Sequence, residues 1–384
     1  MEDHVSRIQY QDKELILIAT AHVSKQSVEL VKRVISEEQP DSICIELDEE
    51  RYKNIQNPKA WESMDIVQVI KTKKVGFLLA NLVLSSYQKK MAKKLDTAVG
   101  QEMIQGIQSA NEIGAQLVLA DRNIQTTFMR IWRKLGLLGK LKLLFTLLFS
   151  FDEGGDISDE DLNKLLQDDI LESMMADMRK QFPRIAEVLI NERDQHLASK
   201  IKEAPGRKVV AILGGAHVPG VKAEIFKSQD LAKITEVPPP SPFSKIFGWS
   251  IPAIVLGFIV YGFVVSFQTG LEQITTWILW NSSMAALFTA FALGHPLSVI
   301  TSFLVAPISA LNPVLACGWF TGLVEASRRK PTVSDVNSIP VDILSFKGFF
   351  KNRFLRILLI VVMANLGSVI GTFIAGIDII HNIF

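Results

Sequence analysis

ELILIATAHV, residues 14–23, is a continuous apolar run rich in branched side chains. A strand wetted on one face alternates polar with apolar residues; a run without alternation fits a parallel strand buried on both faces. Just downstream, Val28, Leu30, Val31, Val34 and Ile35 recur at helical spacing, with Ser24 placed as cap and Pro40 as stop. Residues 42–47, SICIEL, read as a second strand, so the chain opens on a βαβ unit with a right-handed crossover expected. Residues 61–110 read as helical, with a basic stretch from Lys89 to Lys94. Two more short strands follow, QLVLA at 116–120 and KVVAIL at 208–213. The expected fold class is α/β, a mostly parallel sheet, with a helical insertion at 126–200.

The rest of the chain has a different composition. The balance of 41 basic to 40 acidic residues points to no particular partner, but the charges lie almost entirely before residue 245. Between Trp249 and Ala326 the only ionisable side chains are Tyr261, Glu272, His295, Cys317 and Glu325. Hydrocarbon selects for such depletion, because a charge within it is costly. The expected division is therefore 1–237 as the α/β domain, 238–248 as a proline-rich linker, and 249–384 as an α-helical transmembrane domain. Residues 1–11 are polar and charged, with no apolar core of a signal peptide, so the first domain is expected in the cytoplasm. Cys44 and Cys317 fall in different domains and frame no disulfide.

Within the insertion, residues 128–151 interleave Trp132, Leu135, Leu144 and Phe149 with Arg130, Arg133, Lys134 and Lys140. Such a basic amphipathic helix suits either a membrane interface or ordinary packing against a core or a second copy. Residues 152–169 are acidic and read as a solvated turn. Neither a nucleotide-binding glycine loop nor a basic patch with interleaved aromatics is present, so no nucleic acid partner is expected.

Open α/β sheets bind ligands outside the carboxyl ends of their strands. The first strand delivers Thr20 and His22 to that edge, the second Glu46 and Asp48 with Arg51 behind, the third Asp121 and Arg122. The fourth delivers His217, flanked by Gly214, Gly215 and Gly220. Two imidazoles and a carboxylate can hold a divalent manganese, cobalt or zinc ion with room for water. On that reading His22 and His217 are metal ligands, Glu46 is either a third ligand or the general base, and Arg122 clamps a developing oxyanion. The alternative is that both histidines are hydrogen-bonded core residues and Arg122 pairs with Glu46. Asn191-Glu192-Arg193-Asp194 follows on a helix, where Glu192 and Asp194 point to different faces; it reads alternatively as a surface ion-pair segment.

At these residues the sequence resembles the TraB family, which includes the pheromone-shutdown proteins and the Tiki proteins. The resemblance rests on ATAHVS (19–24), Glu46-Leu47-Asp48 with Arg51, residues 75–96, Ala120-Asp121-Arg122, Asn191 to Asp194, and GGAHVPG (214–220). It implies an α/β domain with paired G-x-x-H motifs and, in the Tiki branch, metal-dependent proteolysis. His217 sits in a matching motif, whereas Ala19 replaces the glycine before His22. The resemblance raises Glu46, Arg122, Glu192 and Arg193 as catalytic candidates. The pheromone-shutdown members are implicated in blocking or sequestering a peptide signal, which requires no cleavage.

In the membrane domain, residues 251–267, 277–293 and roughly 354–374 read as spans, with Trp249, Tyr261, Trp277 and Trp280 as interfacial anchors. Residues 297–324 are apolar but interrupted at Pro307 and at Asn312-Pro313. The loop carrying Arg328, Arg329, Lys330, Lys347, Lys351 and Arg353 belongs in the cytosol by the positive-inside rule. Two crossings precede it if 297–324 is re-entrant. The expectation is a multi-pass plasma-membrane protein in contact with lipid, a homodimer, acting as a metal-dependent hydrolase of peptides. The alternatives are a peptide-sequestering module, or a transporter using His295 and Asn312 under control of the first domain.

Overall fold

The computed structural model describes residues 4–20, 25–57, 66–72, 75–76, 78–79, 82, 86, 100–136, 139–140, 178–239, 242–312 and 314–381. The chain folds as two units, each assembled from two stretches: Met1–Pro58 with Lys89–Pro239, and Lys59–Gln88 with Pro240–Phe384.

The first unit opens with β1 (Val5–Tyr10) and β2 (Lys13–Thr20), then α1 (Lys25–Glu38), β3 (Ser42–Ile45) and α2 (Glu49–Gln56). The stretch containing α3 (Ile66–Lys71) belongs to the second unit. The first unit resumes with α4 (Gln101–Ile113), β4 (Gln116–Leu119), α5 (Ile124–Lys134) and α6 (Pro183–Ala186). A π-helical turn, Glu187–Asn191, leads into α7 (Glu192–Glu203). It closes with β5 (Lys208–Gly214), a 3-10 turn at Gly215–His217, α8 (Val218–Glu224) and α9 (Leu231–Thr235).

The five strands lie in the order β1-β2-β5-β3-β4, with β1 antiparallel to β2 and the other three neighbour pairs parallel. The expected α/β class holds, as a mixed sheet. β1 was not anticipated: VSRIQY is half exposed along its length, as befits an edge strand. β5 inserts between β2 and β3, so the two strands that α1 joins are not neighbours. On one face Leu15 and Leu17 pack with Leu197, Ala198 and Ile201 of α7 and Val221 of α8. On the other, Ile16 and Ile18 pack with Val31 and Ile35 of α1 and Met103 of α4. Both faces are covered, and that is why residues 14–20 show no alternation.

α7 is thus not the tail of an insertion at 126–200; it is one of the helices covering the sheet. Residues 137–138 and 141–177, which hold most of the amphipathic stretch and all of the acidic one, lie outside the described residues. So does His22.

The second unit contains α10 (Pro242–Val265), α11 (Phe267–Phe291), α12 (Pro296–Ala310), α13 (Cys317–Arg328), α14 (Val333–Asp342), α15 (Phe346–Lys351) and α16 (Arg353–His381). Residues 59–88 were expected within 1–237, yet they group here. Ile66 and Ile70, with Val75, Leu78 and Leu82, bury against Ala326, Ile339, Phe354 and Leu358, and the sheet offers that stripe no partner. The proposed linker at 238–248 is likewise shorter, because α10 starts at Pro242, a residue whose fixed φ suits a first helical turn.

Among the described residues, two stretches, Gly248–Val265 and Arg353–His381, are by length and composition long and apolar enough to cross a membrane. Close packing joins α11 to α16: a Cβ at Gly371 would lie 2.7 Å from the Trp280 carbonyl oxygen. Small residues of this kind let helix backbones approach closely. The apolar stretch 297–324 divides into α12 and α13. The interruption falls at 311–316, while Pro307 lies inside α12. At about 1.5 Å per residue α12 is ~22 Å long and α13 ~18 Å, both short of the ~30 Å hydrocarbon thickness.

Burial on both faces predicts a steep cost for hollowing the central strand. Ile212→Ala in β5 is expected to lower unfolding free energy by about 2–5 kcal/mol in chemical denaturation; a near-neutral result contradicts the packing described.

Candidate functional site

The carboxyl edge is assembled from β3, β4, α7 and the turn after β5. Beyond β3, Glu46 turns a buried carboxylate toward β5, where its Oε2 accepts the Gly214 N–H at 2.7 Å. Asp48 caps α2, accepting from the backbone N–H groups of Glu50 (2.8 Å) and Arg51 (3.0 Å). Arg51 donates back to Asp48 (2.8 Å) and across to Asp121 (2.5 Å), which follows β4. Thr20, closing β2, donates its hydroxyl to the Leu213 carbonyl at 3.0 Å.

Arg193 of α7 joins these parts. Its Nε and Nη2 fork onto the Asp121 carboxylate at 3.1 and 2.6 Å, and Nη2 also donates to Glu46 Oε1 at 2.6 Å. Its Nη1 lies 3.0 Å from His217 Nε2. A guanidinium only donates, so Nε2 of the neutral imidazole accepts. The ring proton therefore sits on Nδ1, which donates to Asp194 Oδ1 at 2.6 Å. This tautomer follows from the partners rather than from an observed hydrogen.

The electrostatics follow the geometry. Burial alone would raise the Asp121 carboxyl, but the guanidiniums of Arg193 and Arg51 overcome it and hold the group below the ordinary carboxylate range. Asp194 moves the other way: burial raises its carboxyl above the ordinary value, with the His217 hydrogen bond opposing. Asp194 reaches the imidazole only because residue 220 is glycine, since a Cβ there would lie 1.9 Å from Asp194 Oδ2.

Arg122 and Glu192 form a separate cluster. Arg122 Nη1 donates to Glu192 Oε2 (2.7 Å) and to the Ile234 carbonyl (2.7 Å), while Nη2 donates to the Val188 carbonyl in the π-helical turn (2.8 Å). Arg130 forks onto the same carboxylate at 2.8 and 2.7 Å, and Lys134 adds a contact at 2.7 Å. Burial alone would raise the Glu192 carboxyl, but these three cations bring it down to about 2. Arg122 pairs with Glu192 rather than with Glu46.

Of the residues singled out in the sequence, the fold brings Glu46, Arg193 and His217 together and sets Arg122 and Glu192 apart from them. Glu192 and Asp194 do face different ways, one to each cluster, but both are buried, so the segment is no surface ion-pair array. Asp194 as the partner of His217 was missed. So was His196, whose buried ring contacts the Ala120 carbonyl behind the edge at 3.0 Å; burial lowers its pKa.

A divalent metal fits these atoms poorly. The His217 Nε2 lone pair and Glu46 Oε1 both point at Arg193, and Glu46 Oε2 holds the Gly214 amide. Among the described residues, no group of three His, Cys, Asp or Glu side chains is arranged to hold an ion.

Comparison with known proteins covers both units. The family model described as TraB/PrgY/gumN family matches residues 5–230, and that of the TraB family protein C-terminal domain matches 243–384. An uncharacterized protein of Methanocaldococcus jannaschii is 30% identical over 373 residues, 94% of this chain and 93% of the relative. TraB domain-containing proteins of Bos taurus and Homo sapiens are 28% and 26% identical, each covering 64% of this chain and 71% of the relative.

Two outcomes follow from the two clusters. Glu192 has a folded pKa of about 2 against an ordinary 4.5, so its contribution is fully present above the ordinary value and is lost as pH falls toward 2. Acid unfolding of wild type is therefore expected to show a loss across that window that Glu192→Gln, already destabilised at neutral pH, lacks. Identical acid profiles would contradict the cluster. Gly220→Ala is expected to push Asp194 off the imidazole, seen as loss of the downfield Nδ1 proton resonance of His217; an unchanged resonance would contradict the contact.

Proposed function

This chain belongs to the TraB/PrgY/gumN family, and we propose that it is a multi-pass membrane protein whose α/β unit binds and sequesters a peptide by its ammonium end. The observation that carries this reading is the charge at the strand edge. Among the described residues, four buried carboxylates (Glu46, Asp48, Asp121, Asp194) gather at this edge with the guanidiniums of Arg51 and Arg193. An edge so rich in carboxylate oxygens suits a ligand group that carries positive charge and several N–H donors. Each carboxylate has about four acceptor sites, so an ammonium could donate to those that Arg193 does not use. The resemblance to pheromone-shutdown proteins supports the same ligand class.

Hydrolysis is the second reading, favoured by the Asp194–His217 pair. With Nδ1 anchored on Asp194, Nε2 is the basic atom and could take a proton from water as water attacks a peptide carbonyl carbon. The same proton would pass to the departing amine, and Arg193, turned from His217, would stabilise the oxyanion.

The membrane placement rests on the two long apolar helices and on the basic loop. With that loop in the cytosol, α10 and α11 form two crossings, α12 and α13 a re-entrant pair, and α16 the last crossing of the plasma membrane. The α/β unit is then cytoplasmic. A homodimer through the membrane unit completes the reading.

The test is peptide binding to detergent-purified full-length chain, followed by anisotropy of a labelled short-peptide mixture. Peptides with free amino ends are expected to bind about tenfold tighter than acetylated ones, with that preference lost in Glu46→Gln. Equal binding contradicts the ammonium site, and steady release of cleaved peptide replaces sequestration by hydrolysis. Separately, the chain should stay with membranes through alkaline carbonate washing; release into the wash contradicts the membrane placement.

A further inference from the structure

α10, α16 and the α12–α13 connection line an open cavity of about 310 Å³ in the second unit. Its size lies within the roughly 300–1,000 Å³ range of small-molecule sites. Its lining residues carry no formal charge. They include Pro252 of α10, Ser309 and Cys317 at the two ends of the interruption, and Asn365, Ser368 and Val369 of α16.

Two features break the apolar wall. Pro252 sits inside α10 and has no N–H for the carbonyl four residues earlier, at Gly248; both residues line the cavity. Asn365 accepts the Gly318 N–H on Oδ1 at 2.8 Å, which leaves the amide nitrogen as its donor end. The Ser368 hydroxyl adds a group that both donates and accepts. The lining residues thus include a backbone acceptor, an amide and a hydroxyl among apolar side chains.

The opening faces outward. Val369 and Phe373 line the cavity and are 51% and 61% exposed on the outer surface of the unit. A ligand entering there arrives from the hydrocarbon of the bilayer.

We propose that this cavity is a binding site for a neutral membrane-dissolved lipid, a hydrocarbon chain ending in one hydroxyl or carbonyl group. The uncharged lining selects against a carboxylate head, which would be left unpaired in a low-dielectric site. The chain lies along Val369 and Phe373, and the head meets Asn365 and Ser368 under the α12–α13 connection. The site rests on the membrane placement of the second unit and is independent of the peptide site on the first.

Full-length protein in detergent, labelled with a photoreactive long-chain alcohol, tests this directly. Saturable crosslinks are expected within residues 309–317 or 365–373, reduced about tenfold by excess unlabelled alcohol and little by the matching carboxylate. Val369→Trp, at an exposed position where the fold tolerates bulk, should close the entrance and reduce labelling by a similar factor. Non-saturable labelling spread along every exposed helix face overturns the site. Equal competition by the carboxylate overturns the neutral head, and wild-type labelling of Val369→Trp overturns the entrance. A chain released by carbonate washing overturns the membrane placement and, with it, the bilayer as the source of the ligand, whereas a chain that stays with membranes but labels non-saturably overturns the site alone.

Discussion

The guanidinium of Arg193 is the contact on which the strand edge depends. It forks onto Asp121 beyond β4, reaches Glu46 beyond β3, and meets His217 in the turn after β5. Three segments of the chain that share no local sequence are thereby held in one arrangement. The sheet makes such a contact necessary: its two faces are filled with aliphatic side chains, so polar groups collect where the strands end. Buried carboxylates there are stable only when paired, and removing one partner of such a pair typically costs about 3–5 kcal/mol. The same contact fixes which imidazole nitrogen of His217 carries the proton, so the structural pairing and the chemistry of the edge have one origin.

The second cluster works differently. Arg122, Arg130 and Lys134 converge on Glu192, and Arg122 also ties down the carbonyls of Val188 and Ile234. It fastens α5, the π-helical turn and α9 behind the edge, and so sets the angle at which α7 presents Arg193 and Asp194. π-helical turns often accompany functional positions, and here the turn immediately precedes the helix carrying both site residues. In the second unit the organising constraint is steric: glycines on α16 bring it against α11, and a short helical pair lies alongside.

Much of this was readable from the sequence, for physical reasons. Strands buried on both faces leave uninterrupted apolar runs, so β2, β3, β4 and β5 were found, while half-wet β1 was not. Glu192 and Asp194 are two residues apart, roughly 200° around a helix, and they do face different clusters. Partners were harder. Arg193 and Asp121 are separated by 72 residues, and His217 and Asp194 by 23; no local pattern encodes either pairing. Residues 61–110 read as helical with no partner named, whereas Ile66 and Ile70 pack with residues of the second unit. His22 lies outside the described residues, and its part in the edge rests on its position just after β2 and on the resemblance.

The central claim is that Arg193 supplies the cation that organises this edge. Metal content tests it most directly: full-length protein equilibrated with manganese, cobalt or zinc, passed through a desalting column, and analysed for bound metal beside His217→Ala and Arg193→Ala variants. The account predicts sub-stoichiometric metal in wild type and in His217→Ala, with uptake appearing only when Arg193→Ala frees Glu46 and the imidazole. One ion per wild-type chain, lost in His217→Ala, would contradict it and place a metal where the guanidinium now lies.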